Sequence, residues 1–393
     1  MAAPPDLGIP PSPHTVDVSI IDTGATIRGA PVRLFLTPPI EGHDYLAAPI
    51  YSFLIQHRTL DRTLVFDLGI RKDWKNLSPP LISLLNALGW TLRTKKDVRE
   101  ILDAGGIDTK RIEAVIWSHT HFDHTGDPSR FEPSTALIIG GKLPKGYPAD
   151  PTSPILETDY TGRELIELDF ATGNNGRYKP LQIGRFRALD YFADGSFYLI
   201  ETPGHTAGHI SALARVTPDP DPSFIFLAGD LFHHPGEIRP SQYLPIPSDI
   251  RPDPFAPDPH PVDCHYGCPG AIFDELQAQR GRSSVDTFYE PARMTGAESI
   301  HEDVDELLRT VNKLQDADAH KNVLVAAAHD ESLAEVVEFF PKGKLNDFAQ
   351  RGSVSRLRWR FLRDFAKAVG KMTHLLGPRR EWGPVKGERD EEE

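Results

Sequence analysis

The chain has 393 residues, 39% hydrophobic and 25% charged, which fits a globular protein with a substantial core. Its formal net charge of −13 sets aside general nucleic-acid binding, which needs a basic surface against phosphate. No apolar run approaches the roughly 18 residues of a membrane span, so no membrane partner is expected either.

The start, MAAPPDLGIPPSPH, lacks the basic and apolar regions of a signal peptide and reads as a flexible Pro-rich arm over 1–15. Val16 to Ile21 alternates and is β-branched, predicting a strand that ends in a turn at Asp22-Thr23-Gly24. Ala48–His57 and Thr63–Phe66 predict two more strands, the latter closing on Asp67-Leu68-Gly69. Helices are expected over Pro80–Leu88 and Lys96–Ala104, the second stopped by Gly105-Gly106. Ile112–Trp117 is a strand that runs directly into SHTHFDHTGD, Ser118 to Asp127.

That segment packs His119, His121, Asp123 and His124 into six positions. Alternate residues of an extended chain share a side, so His119 and His121 can point together, and a turn can bring Asp123 and His124 beside them. Imidazole and carboxylate are ligands of zinc and related hydrolytic metals. A His-rich turn can also be a solvated loop, but a full H-x-H-x-D-H string after a strand favours a site for two metals.

Further strands are expected at Ala136–Gly140, at Phe186–Tyr191 and Ser196–Ile200 with an Asp194-Gly195 hairpin turn, and at Ile210–Val216 and Phe224–Leu227. From Pro235 to Pro291 the chain is Pro-rich, with one helical piece at Ala271–Arg280. A segment about 235–300 reads as an inserted cap over the site, with Phe255, Tyr266 and Phe288 as candidate lining. Val304–Leu314 is an amphipathic helix, Val323–Ala328 the last clear strand, and Leu333–Phe340 and Ser355–Val369 look helical. The domain is expected to span 16–340, followed by a helical extension over 341–386 and a disordered acidic tail over 387–393. Cys264 and Cys268 could hold a metal with His265, form a local disulfide, or be two thiols in a loop; a reducing cytoplasm is the expected location.

Three more strand ends carry ligand-type residues: His205 in TPGHTAGH, Asp230 in FIFLAGD and His329 in VLVAAAHD. His209 competes with His205 and is expected to pack or hydrogen-bond instead. With this set complete, the chain resembles the metallo-β-lactamase superfamily over roughly residues 16 to 335. The resemblance implies an α/β fold, an αββα sandwich of two mixed sheets flanked by helices. It implies one zinc on His119, His121 and His205, a second on Asp123, His124 and His329, and Asp230 between them. Asp67 would be a supporting residue behind the ligands. Zinc is the default, and iron, manganese or cobalt would also be accepted.

The implied chemistry is attack of a metal-bridging hydroxide on a carbonyl, with Asp123 orienting it or shuttling its proton. The cues DLGIRKDW, HTHFDHTGD, TPGHTAGH and AGDLFHHPGE are most similar to lactonases and their fungal relatives, so a small cyclic ester or amide is the expected substrate. Such lactonases carry a Tyr where this chain has His233; His233 or His234 would then take over its hydrogen bond to the substrate carbonyl. A thioesterase similar to glyoxalase II or to polyketide-releasing enzymes is the alternative, with Arg356, Arg358, Arg360 and Arg363 as either a binding patch or a solvated face; a non-catalytic binding protein is a third reading. Oligomeric state is open, a homodimer included.

Overall fold

The computed structural model describes residues 2–256, 267–296, 299–371 and 382–384. Cys264, His265, Tyr266 and the acidic tail lie outside the described residues.

Thirteen strands form two mixed sheets. The first contains β1 (Asp17–Arg28), β2 (Pro49–His57), β3 (Arg62–Phe66), β4 (Thr91–Arg93), β5 (Ile112–Ile116), β6 (Ala136–Gly140) and β7 (Leu165–Leu168), in the order β4-β1-β2-β3-β5-β6-β7. The second contains β8 (Lys179–Ile183), β9 (Phe186–Asp190), β10 (Phe197–Glu201), β11 (Ile210–Thr217), β12 (Ser223–Gly229) and β13 (Val323–Ala327), in the order β13-β12-β11-β10-β9-β8. Their inner faces meet in a core that includes Phe53, Phe66, Ile116, Ile138, Leu199, Ile225, Leu227 and Leu324. The sheets' outer faces are covered in turn. Val98 and Leu102 of α2 (Val98–Ala104) pack over the first sheet. Leu307, Val311 and Leu314 of the long helix Val304–Asp318 pack over the second. Both sheets therefore bury two faces, which is why these strands read as apolar runs rather than strict alternations.

Parallel pairing fixes where the strand ends fall. β3 and β5 are parallel in the first sheet, and β12 and β13 in the second. β10 is antiparallel to β11 and β11 to β12, so β10, β12 and β13 run the same way. Asp67, His119, His205, Asp230 and His329 each lie just past the carboxyl end of one of these five strands. Backbone bonds tie the two sheets together at that edge: Ile210 N–H donates to Ser118 O at 2.8 Å, and Tyr51 N–H donates to Ala328 O at 3.1 Å.

Several expectations need correction. Asp22-Thr23-Gly24 does not end the first strand. It is an irregularity inside a 12-residue strand, where the pairing shifts register between Asp22 and Thr26. The expected C-terminal helices shrink to Leu333–Val336, Ser353–Leu357 and a 3-10 turn at Arg360–Phe365, because Trp359, Phe361, Leu362 and Phe365 turn inward against the segment 246–288. Three of the four arginines there, Arg358, Arg360 and Arg363, are not a solvated face. Arg360 and Arg363 pair with Glu335, and Arg358 donates to Asp318 O at 2.7 Å. The strands β4, β7 and β8 were not expected; β4, at three residues, is too short for a periodicity to show.

Candidate metal centre

At the shared strand edge, seven side chains converge. His205 Nε2 lies 3.1 Å from His119 Nε2 and 2.9 Å from His121 Nδ1. Across from this triad, His329 Nε2 lies 3.4 Å from Asp123 Oδ2, and His124 Nε2 lies 3.8 Å from the same oxygen. Asp230 stands between the groups and divides its carboxylate. Its Oδ2 faces His119 Nε2 at 3.9 Å and His205 Nε2 at 3.7 Å; its Oδ1 faces His124 Nε2 at 3.2 Å and His329 Nε2 at 3.3 Å. The two groups, His119-His121-His205-Asp230 and Asp123-His124-His329, each gather ligand atoms within 4.8 Å of one another.

A metallo-beta-lactamase superfamily model matches residues 47–217. Over 383 residues the chain is 41% identical to gamma-lactamase FDB1 of Fusarium pseudograminearum, an alignment covering 95% of this chain and 88% of that protein. It is 40% identical to metallo-hydrolase mfmC of Annulohypoxylon moriforme, covering 97% and 95% of the two chains. Gamma-lactamase MBL2 of Gibberella moniliformis is 41% identical, covering 64% of this chain and all of that one. The chain belongs to the metallo-beta-lactamase superfamily. It is a metal-dependent hydrolase with the α/β fold of that superfamily.

The donor chemistry of this superfamily member suits cations. Burial, and after it the neighbouring histidines, holds His119 and His205 well below the ordinary imidazole value, so both offer neutral lone pairs. Burial also lowers His124 and His329, but the surrounding carboxylates outweigh it: His124 sits well above its usual value, and His329 is raised to about 10. Asp230, Asp123 and Asp67 thus demand positive charge at that point, which a metal ion would supply. His124 Nε2 and Asp230 Oδ1 are fully buried and have no hydrogen-bond partner, although each aims at the other group. Orphaned buried donors and acceptors are costly, and a bound cation removes that cost.

Outer hydrogen bonds set the tautomers. His119 Nδ1 meets Ser118 Oγ at 3.0 Å, His124 Nδ1 meets Asp67 Oδ2 at 2.9 Å, and His329 Nδ1 meets Pro49 O at 2.8 Å. Each outer N–H is thereby engaged, leaving Nε2 bare toward the centre. Asp67 also accepts from Ser118 N–H at 2.7 Å and Ser118 Oγ–H at 2.8 Å, so it supports two histidines at once. His209 does not join the ligands. Its Nδ1 bonds Thr202, and its Nε2 accepts the Asp230 backbone N–H at 3.0 Å, which places it behind Asp230. Gly229 makes that contact close: its φ is +56°, and a Cβ there would lie 2.8 Å from His209 Nε2. Of these supports, sequence reasoning reached Asp67 and the packing of His209. Ser118 and the Pro49 carbonyl carry no recognisable signal of their own.

An apolar cavity of about 270 Å³ opens onto the centre. Its wall includes Ile27, Phe35, Leu46, Leu85 and Trp90, and His121, Asp123, Asp230, His233 and His329 form its floor. The helix α1 (Pro79–Leu88) supplies Leu81, Leu84, Leu85 and Leu88, after starting on Pro79 and ending on the left-handed Gly89. From the 235–300 segment only Ser299 and Ile300 reach it among the described residues. Phe255 and Phe288 do not line it. They stack on Phe273, Phe361 and Phe365, because that aromatic cluster is where the segment anchors.

His233 and His234 part company. His233 Nε2 lies 3.3 Å from Asp230 Oδ2, and its ring lies 5.0 Å from Phe35. His234 turns away from the cavity: Nδ1 accepts from Gly236 N–H at 3.0 Å and Nε2 donates to Asp364 at 3.1 Å, which locks it against the C-terminal segment.

Proposed function

We propose that this hydrolase holds two divalent metal ions and opens a cyclic ester or amide carried on an apolar body. The observation that carries the reading is the divided Asp230 carboxylate, one oxygen turned to each group of ligands. His119, His121 and His205 would hold one ion, Asp123, His124 and His329 the other, and Asp230 both. Zinc suits this set of five imidazoles and two carboxylates, and iron or manganese would be accepted by it. Two such ions supply Lewis acidity for a carbonyl oxygen and a water acidic enough to ionise near neutral pH.

The chain's own residues do the rest. The apolar wall takes up the substrate body and excludes bulk water, which leaves the reacting carbonyl on the polar floor. His233, on the floor beside Asp230, is placed to hydrogen-bond the carbonyl oxygen as charge develops on it. Asp123 lies on the same floor and is placed to hold a proton and return it to the leaving oxygen or nitrogen. Addition of water to the carbonyl carbon and cleavage of its bond to the ring oxygen or nitrogen give the hydroxy acid or amino acid. The gamma-lactamase names of two relatives favour the amide.

The protein purified without chelator should contain close to two metal equivalents per chain by elemental analysis. His121→Ala should abolish acid release from every member of a lactone, lactam and thioester panel while circular dichroism stays unchanged. Undiminished turnover by that variant, or a thioester hydrolysed far better than any ring, would reject the reading.

A further inference from the structure

The imidazole of His205 has a partner unlike those of the other candidate ligands. Its Nδ1 lies 3.1 Å from Nδ1 of His301, a residue 96 positions away and only 4% exposed. The opposite nitrogen of His301, Nε2, lies 3.3 Å from the carbonyl oxygen of Phe35. The proton positions along this chain are dictated by geometry. Phe35 O can only accept, so His301 Nε2 carries a hydrogen and donates it. His301 Nδ1 is then bare and accepts, so the proton between the two rings belongs to His205 Nδ1. His205 Nε2 is left as a lone pair, aimed at His119 and His121.

We propose that His301 is a positioning residue for the metal centre: it fixes the tautomer and orientation of His205 and ties that ligand to the wall of the substrate cavity. This rests on the dinuclear reading above. Three further contacts show that the His205 turn is built around the same segment. Glu302 N–H donates to His205 O, and Asp303 N–H donates to Gly204 O, both at 2.9 Å. Thr310 Oγ–H donates to Pro203 O at 2.7 Å. Gly204 itself permits the approach: its φ is +130°, and a Cβ there would lie 2.3 Å from Leu307 N.

The far end of the chain reaches substrate. Phe35, whose carbonyl anchors His301, places its ring in the cavity wall, stacked 6.0 Å from Trp90 and tilted 5.0 Å from His233. Ile300, the residue before His301, is in the wall too. A substrate body that presses on Phe35 and Ile300 therefore presses on the group that aims His205. The other histidine supports, Ser118, Asp67 and the Pro49 carbonyl, are not part of that wall.

The test compares His301→Phe, which keeps a ring but has no nitrogen, with His301→Gln. The Gln side chain has a carbonyl oxygen to accept from His205 and an amide to donate to Phe35. Zn²⁺ affinity is read by chelator competition, the ligand field by visible absorption after Co²⁺ loading, and folding by thermal unfolding of the metal-free proteins. His301→Phe should weaken one of the two Zn²⁺ equivalents on the order of 10- to 100-fold and shift the cobalt bands, while the second equivalent and the metal-free unfolding temperature hold. His301→Gln should stay within a few-fold of the parent. If the Phe variant does not fold, His301→Leu takes its place. Parental affinity for both equivalents in the nitrogen-free variant overturns the proposal, as does a Gln variant no better than Phe. A parent protein that binds fewer than two equivalents overturns the dinuclear reading itself, and is seen before any variant is made.

Discussion

At the residue scale, the departure that most bears on substrate is His233. Its Nδ1 is buried without a hydrogen-bond partner, and its ring lies on the cavity floor beside Asp230. His233→Phe keeps the ring's bulk and its contact with Phe35 but removes the donor. It is expected to lower kcat/KM on the order of 10²-fold, the usual loss for one oxyanion donor, with metal content intact by elemental analysis. Unchanged kinetics would remove His233 from the reaction and leave it as wall. His234, one position on, offered the same imidazole in sequence, although His233 alone stands where the lactonases carry a Tyr. What separates them is Asp364, 130 residues later, which fixes His234 through tertiary contact.

At the element scale, the turn between β10 and β11 is the most tightly specified piece of the site. Gly204→Ala would put a methyl into the backbone of Leu307 at a φ that L-residues rarely adopt. Strain of that kind costs about 1–3 kcal/mol, with steric displacement of the helix Val304–Asp318 or of His205 added to it. The expected result is a lower unfolding temperature by calorimetry and a loss of bound metal together. A variant with native metal content and stability would show that the turn tolerates rearrangement. The strands leading to the site were legible because each is an apolar run ended by a ligand-type residue, as in FIFLAGD before the turn at Asp230. The cavity wall was not. Pro80–Leu88 read simply as a helix, and nothing in one chain says whether its leucines meet core or substrate. His301 was invisible for a related reason: a lone histidine between a Pro-rich segment and a helix acquires meaning only through Phe35 and His205.

At the scale of the whole molecule, acid–base behaviour shows where polar groups are held under strain outside the centre. Burial raises Asp159 to about 7, against backbone and arginine contacts that lower it, and its Oδ1 has no hydrogen-bond partner. An acid whose folded pKa exceeds its unfolded value, near 3.8, makes the native state bind more protons between those values. Its stability contribution is therefore present at low pH and is lost as pH rises toward 7. Asp159→Asn keeps an oxygen for the Leu156 N–H, which Asp159 Oδ2 accepts at 2.9 Å, and Arg71 keeps Asp73 and Asp127. The variant's unfolding temperature minus that of the parent should grow from pH 5 to pH 8. A difference flat across that range would mean that the carboxyl ionises normally. No helix among the described residues is long and apolar enough to cross a membrane.

The apolar wall and the ligand set come from different parts of the framework. Apart from Phe122, Pro154 and Ile300, the hydrophobic lining comes from residues 27–90, whereas the ligands follow strands that the two sheets hold in register. A lineage of such enzymes could exchange lining side chains within residues 27–90 and meet new ring systems without ever re-solving the placement of its metals.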